Sequence, residues 1–224
     1  MRTYDDLIKE LGPLANVEQG SAEWKMMRLG VATASKAKEF LAKRDSATYQ
    51  TYLAEKAAEV CTGDFAMEIT AKALQWGNEH ESSARAMYEF ETGFIAKELP
   101  FIYRDQSKRF GCSPDGLTMD AQGLELKCPM TSAVFLQFVC ADKIKPEYYL
   151  QCQFSMWVSG REEWHFANYD PRMKTINLHW VPLLRDEVKF REFDARAEEW
   201  IKDMDIILDK MGLHYGSQFE ALNE

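Results

Sequence analysis

The chain has 224 residues and a formal net charge of −9, from 27 Lys and Arg against 36 Asp and Glu. With 46% hydrophobic and 28% charged residues it is not composed like a disordered chain, and it is long enough to bury a core without disulfides or a structural metal. The acidity argues against a protein that coats nucleic acid non-specifically, because phosphate contacts need Lys and Arg; yet residues 25–44 set six basic side chains against Glu39 alone, and the acidic excess is heaviest beyond residue 185.

Tyr4 to Leu11 reads as a short helix stopped by Gly12-Pro13. Ser21 can cap a helix through Trp24 to Leu29, and Thr33-Ala34-Ser35 looks like a second N-cap, opening a helix to about Lys43. Thr48 to Cys61 is helical and closed by Gly63; Ala71 to Thr92 is a longer helix closed by Gly93. The middle turns β-like, with strands at Phe94 to Arg104, Arg109 to Ser113 and Gly123 to Cys128, and turns at Pro114-Asp115-Gly116 and Ala121-Gln122-Gly123. Helices return at Thr131 to Ala141 and Glu147 to Ser159, strands at Trp164 to Tyr169 and Ile176 to Leu183, and a long amphipathic helix at Asp186 to Met211. No Pro/Gly/Ser linker interrupts the chain. The expectation is one α/β domain over 1–224, with a helical part to about 93, a central mixed β-sheet over about 94–183 flanked by helices, and a C-terminal helix over about 186–211.

Five cysteines, at 61, 112, 128, 140 and 152, form no C-x-x-C, so neither a disulfide framework nor a zinc ribbon is expected. They read as reduced, mostly buried thiols. No basic segment followed by an apolar run opens the chain, and the longest near-apolar run, Ala133 to Ala141, is too short to span a bilayer.

The chemistry concentrates at Ser113-Pro114-Asp115-Gly116 and Glu125-Leu126-Lys127. Side chains alternate faces along a strand, so Glu125 and Lys127 share one face while Leu124 and Leu126 point into the core. A hairpin between Asp115 and Glu125 brings Asp115, Glu125 and Lys127 to one edge. Two hard carboxylates suit Mg²⁺, which keeps waters and accepts phosphate oxygens. A lysine beside them can orient or deprotonate a water. The alternative is a type I turn followed by a surface strand. Glu81, in the long helix, could complete a metal site or be a solvated glutamate. Gln151 and Gln153 interrupt an apolar helix, as buried amides with partners or as surface side chains.

The order of Glu18-Gln19-Gly20, Trp24, Arg28-Leu29-Gly30-Val31, Thr33-Ala34-Ser35, Trp76-Gly77, Cys112-Ser113-Pro114-Asp115-Gly116-Leu117, Gly123-Leu124-Glu125-Leu126-Lys127-Cys128-Pro129, Ser155-Met156-Trp157 and Phe166-Ala167-Asn168-Tyr169-Asp170-Pro171-Arg172 resembles the phage lambda exonuclease family. Those viral-type alkaline exonucleases belong to the P-D/(D or E)-x-K superfamily, with a restriction-endonuclease-like core. The resemblance covers nearly the full length. It implies a Mg²⁺-dependent 5′→3′ double-strand DNA exonuclease with two ions, for which Mn²⁺ can substitute. Asp115, Glu125, the Leu126 carbonyl and Glu81 would be the metal ligands, Lys127 the catalytic lysine, and Gln151 the residue that positions the attacking water. Arg28, Ser35 and Ser113 match the pocket for the 5′-phosphate, with Trp24 beside them, and Leu74 matches the wedge that parts the terminal base pairs. The resemblance further implies a homotrimeric ring, a single-strand annealing recombinase as partner, double-stranded DNA ends as substrate, no membrane, and the cytoplasm of a bacterial host.

Three other functions fit parts of the sequence: an endonuclease of the same fold, a non-catalytic DNA-end-binding protein, and a retaining glycosidase. The last gives no reason for Lys127 to share the face of Glu125. The acidic residues Glu198, Glu199, Asp203 and Asp205 are expected to repel DNA and confine it to the basic, metal-loaded face.

Overall fold

The computed structural model describes residues 2–65, 72–119, 121–141 and 143–222. In chain order its helices are α1 (Tyr4–Leu11), α2 (Ala22–Met27), α3 (Ala37–Phe40), α4 (Ala47–Thr62), α5 (Lys72–Thr92), α6 (Ser132–Ala141), α7 (Pro146–Ser159) and α8 (Glu187–Lys210). Its strands are β1 (Ala32–Thr33), β2 (Ala96–Lys97), β3 (Ile102–Tyr103), β4 (Phe110–Cys112), β5 (Gly116–Thr118), β6 (Gln122–Lys127), β7 (Glu163–Tyr169) and β8 (Leu178–Leu184).

Local chemistry sets the helix ends. Thr3 and Asp6 form a capping box on α1, Ser21 accepts from the Trp24 amide at the start of α2, and Asp186 caps α8. Gly63 closes α4 at φ +67°, a left-handed conformation that glycine adopts without steric cost. Ala71, the expected first residue of α5, lies outside the described residues.

The expected sheet is two mixed sheets. A three-stranded one has the order β1-β4-β3, and a five-stranded one β2-β5-β6-β7-β8. The strand expected over Phe94 to Arg104 is therefore two short strands, β2 and β3, one in each sheet; Pro100, which has no N–H to give a ladder, lies between them. β5 is a strand that the sequence reading lacks; only its first residue, Gly116, belongs to the expected Pro114-Asp115-Gly116 turn. The helix expected from Thr33 to Lys43 is also different. Thr33 ends β1 and caps nothing with its side chain, and a 3₁₀ turn (Ala34–Lys36) leads into the four-residue α3.

In the five-stranded sheet only β6 and β7 run parallel, from Gln122 opposite Glu163 to Lys127 opposite Asn168. Gly123 lets the two strands close up, because a Cβ there would lie 2.1 Å from the Trp164 ring. β7 is buried on both faces from Trp164 to Tyr169, and Pro182 sits on the edge strand β8, where a missing N–H is tolerated. The main core gathers around α7, whose residues Cys152 to Ser159 are all buried, so it is a core helix and not a surface one. Phe40, Tyr49 and Tyr52 pack on Trp200 of α8 with ring centroids 5.4, 5.5 and 5.1 Å away.

The five cysteines are unpaired; Cys112 and Cys152 are buried, Cys61 and Cys128 half-buried and Cys140 exposed, so burial is less general than expected. No described helix is long and apolar enough to cross a membrane.

Candidate active site

The β5–β6 hairpin carries the acidic centre. Asp115 stands just before β5; its amide donates to the Leu124 carbonyl at 3.2 Å, and its Oδ2 accepts from the Leu126 amide at 2.6 Å. The loop carboxylate is thereby locked to the strand that bears Glu125 and Lys127. Leu124 and Leu126 are buried on the other pleat face, as the alternation requires. Glu125 is 2% exposed, and its Oε1 accepts from Lys127 Nζ at 2.5 Å and from Gln151 Nε2, on α7, at 2.6 Å. Glu81 approaches from α5, and Glu81, Asp115, Glu125, Leu126, Lys127 and Gln151 line one cavity of about 440 Å³. Among the described residues, no three His, Cys, Asp or Glu side chains form a metal cage by themselves.

Electrostatics follow from crowding carboxyls out of water. Burial, then Asp115, push Glu81 up to about 7. Burial pushes Glu125 up to about 8, with Lys127 pulling it back and Asp115 and Glu81 adding to the rise. Asp115 is raised by burial, against Lys127 and the Leu126 hydrogen bond. Burial disfavours the Lys127 ammonium, but Glu125 and Asp115 outweigh it and hold the group above the usual lysine value.

The second half of the cavity is polar and basic. Arg28 lies at the end of α2 with its guanidinium 4.1 Å from the Trp24 ring centroid. Trp24 Nε1 donates to the Pro100 carbonyl at 2.8 Å and to Ser113 Oγ at 3.1 Å. Ser35 is exposed and pairs with the Thr33 hydroxyl at 3.3 Å. Arg28, Ser35, Ser113 and Trp24 all line the cavity that holds the carboxylates. Ser35 belongs to a 3₁₀ turn and not to a helix N-terminus, so its contribution is a hydroxyl and not a helix dipole. Leu74 has its backbone in α5, but its side chain lies outside the described residues.

Gln153, weighed with Gln151, is elsewhere. It is fully buried, donates to the Leu184 carbonyl and accepts from the Asp186 amide, so it fixes the β8–α8 corner. Of the four acidic residues of α8 expected to repel DNA, three have cationic partners: Asp203 pairs with Arg44 and Tyr49, Asp205 with Arg109, and Glu199 with Arg196. Three further residues at the site have no role assigned to them from the sequence. Arg85 donates to the Asp115 carbonyl at 2.7 Å and to Glu81 at 2.9 Å, and also pairs with Glu98; its i,i+4 spacing from Glu81 was the available signal. Gln19 donates to the Leu99 and Pro114 carbonyls, steadying the loop before Asp115. Tyr148 puts its ring 5.3 Å from Lys127 Nζ.

Residues 23–162 match the YqaJ-like viral recombinase domain, a span that contains Glu81, Asp115, Glu125, Lys127 and Gln151. An alkaline exonuclease of Laribacter hongkongensis, LHK-Exo, is 31% identical, with a TM-score of 0.78 over 86% of this chain and 96% of that one. The same enzyme in complex with dAMP is 32% identical at a TM-score of 0.78, over 85% of this chain and 96% of that one. A phage-related exonuclease from Haemophilus somnus 129PT shares the fold, with a TM-score of 0.63 at 16% identity over 81% of this chain and 96% of that one. The ExoD protein of Escherichia coli (strain K12) is 44% identical over 78 residues, which are 35% of this chain and 90% of ExoD.

Proposed function

The chain belongs to the YqaJ-like viral recombinase family, and from that footing we propose that it is a Mg²⁺-dependent exonuclease of double-stranded DNA. It hydrolyses the 5′-terminated strand from its end and leaves a 3′ overhang for a single-strand annealing recombinase. The observation that carries the reading is the meeting, in one cavity, of Asp115, Glu125 and Lys127 with the Arg28, Ser35 and Ser113 anion end.

The donor set fits divalent ions. Three hard carboxylates share the cavity, and Glu81 and Glu125 are held well above the usual glutamate range there, a strain that a cation relieves. Mg²⁺ needs only one or two carboxylates, because water and substrate phosphate fill its remaining positions. Asp115, Glu125, the Leu126 carbonyl and Glu81 would hold two ions, with Mn²⁺ able to substitute. Bound there, such ions stabilise charge on the scissile phosphate and acidify a bound water.

The side chains do the rest. Lys127, held as an ammonium by Glu125, donates to the attacking water or to a phosphate oxygen. Gln151 shares the same Glu125 oxygen and holds the water from the α7 side. Arg28 supplies the charge that anchors the 5′-phosphate. Ser113, already accepting from Trp24, keeps its own proton to donate to that phosphate. By the resemblance, Leu74 would be the wedge that parts the terminal base pairs. The active assembly is a homotrimeric ring around DNA, in the cytoplasm of a bacterial host.

A plasmid tests the reading. With Mg²⁺, the protein should degrade linearised plasmid bearing 5′-phosphates and leave the supercoiled form intact. Opening of the supercoiled form at a similar rate would replace the exonuclease with an endonuclease of the same fold, and binding of ends without any digestion would leave a DNA-end-binding protein.

A further inference from the structure

Arg28 opens a tight turn whose middle peptide is held at both ends. The Arg28 carbonyl accepts from the Val31 amide at 3.1 Å, which makes Leu29 and Gly30 the two central residues. Gly30 stands at φ +71°, and a Cβ there would lie 2.4 Å from Val60 of α4 and 3.2 Å from the Gln218 amide nitrogen. The peptide group that joins Leu29 to Gly30 donates its N–H to Glu59 Oε2 at 2.8 Å, and its carbonyl accepts from Gln218 Nε2 at 3.3 Å. One partner comes from α4, the other from a 3₁₀ turn near the end of the chain, Ser217–Leu222.

Both partners are themselves held. Glu59 is buried, and its two oxygens accept from Lys56 Nζ at 2.8 and 2.9 Å. Gln218 is buried as well; its Oε1 accepts from the Gly216 amide at 2.9 Å, so the side chain cannot turn over without losing that bond and the one to Leu29. Phe219 anchors the 3₁₀ turn in a small core with Met27 of α2, Val31 and Phe101. The far side of the same segment is tied in the same way: the Tyr52 hydroxyl, also on α4, accepts from the Thr33 amide at 3.0 Å. Regular structure supplies little here, because α2 has six residues and β1 two.

The central peptide of a four-residue turn is the unit that turns over between the common turn forms. Holding both of its polar groups fixes that choice, and with it the path of the backbone that carries Arg28. Neither Glu59 nor Gln218 lines the carboxylate cavity, whereas Arg28 does, with Ser35 and Ser113. We infer that Gln218 and Glu59 are positioning residues for the Arg28 phosphate anchor, so that the C-terminal 3₁₀ turn sets how strongly the protein distinguishes a 5′-phosphate end from a 5′-hydroxyl end. The inference rests on the nuclease reading above and adds to it the residues that aim its anion end. Burial makes the clamp stiff, since a peptide group out of water that loses a partner bears the full desolvation cost.

End binding in EDTA tests it, read by fluorescence anisotropy on matched duplexes with 5′-phosphate or 5′-hydroxyl ends. Gln218→Met keeps the length of the side chain and removes the donor. Gln218→Glu keeps an acceptor for Gly216 and turns a carboxylate oxygen towards the Leu29 carbonyl. Each should lower the phosphate-to-hydroxyl affinity ratio by about 3- to 10-fold, as expected when one charge-assisted hydrogen bond is misplaced but not removed. Phe219→Leu loosens the same 3₁₀ turn without touching the clamped peptide; it should lower the melting temperature and leave the ratio unchanged. A ratio unaltered in both Gln218 variants, a ratio that falls equally in Phe219→Leu, or equal binding of the two ends by the unaltered protein overturns the clamp. Digestion of linear duplex with Mg²⁺ separates this from the parent reading: digestion with a ratio indifferent to Gln218 removes the clamp alone, whereas a ratio that falls in the Gln218 variants of a protein that digests nothing removes the nuclease reading alone.

Discussion

Glu125 Oε1 accepts from both Lys127 and Gln151, so these three side chains act as one unit. Lys127→Ala removes the only one of them that carries positive charge. It should lower strand hydrolysis by about 10²- to 10⁴-fold while end binding, measured by mobility shift, stays largely intact. Full activity in that variant would remove the mechanism. Arg28 lines the other end of the cavity, where in the proposed reading its charge-assisted hydrogen bonds to a 5′-phosphate would be worth about 1.5–3 kcal/mol. Arg28→Ala should therefore erase a preference for 5′-phosphate over 5′-hydroxyl ends of about 10- to 100-fold, read from initial rates on matched duplexes. If the variant keeps that preference, the phosphate pocket is misassigned.

The contacts of α8 give a prediction at the scale of elements. Asp203 ties α8 to the start of α4 through Tyr49 and to the preceding loop through Arg44. Those hydrogen bonds, Arg44 first, hold the Asp203 carboxyl below its usual value. A carboxyl depressed in the folded state adds stability that is present above the unfolded aspartate value, about 3.9, and is lost as pH falls through the lower folded value. Asp203→Asn should cost about 1 kcal/mol at neutral pH in denaturant unfolding, with the gap to the unaltered protein closing at acid pH. A gap that persists at acid pH would show that something other than the charge is responsible. The same scale shows what could be read in advance. Helices with a cap and a glycine stop, such as α1, α4 and α8, were legible because their ends are set by neighbours in sequence. The two short sheets were not, because β1, β2 and β3 are two residues each and owe their existence to distant partners: Ala32 to Phe110, Ala96 to Thr118, Ile102 to Cys112. Asp115, Glu125 and Lys127 were legible for the opposite reason, since one hairpin holds all three. Arg85 had only its i,i+4 spacing from Glu81 to mark it, and Asn168 had nothing, because no local feature separates an asparagine that faces a site from one that faces solvent.

For the whole molecule, the net charge of −9 does not exclude nucleic acid, since the anion end needs few cations and part of the negative charge sits in the carboxylate centre. That centre should make folding depend on pH. Glu81 and Glu125, raised to about 7 and about 8, hold protons in the folded chain that the unfolded chain, with glutamates near 4.3, has released. Metal-free protein should therefore lose stability as pH rises from about 4.5 to 8, and Mg²⁺, competing with those protons, should restore it most at the alkaline end. Thermal melts across that range, with Mg²⁺ or with EDTA, read both trends; a metal-free stability that rises towards pH 8 would contradict the crowded-carboxylate account. The central claim is tested most directly by one digestion: linear duplex labelled at either the 5′ or the 3′ end, incubated with and without Mg²⁺. The account predicts that the 5′ label is released first as mononucleotide, that the 3′ label stays on a shrinking duplex with a growing overhang, and that neither moves in EDTA. Release that begins at the 3′ end, or that proceeds equally in EDTA, would contradict it.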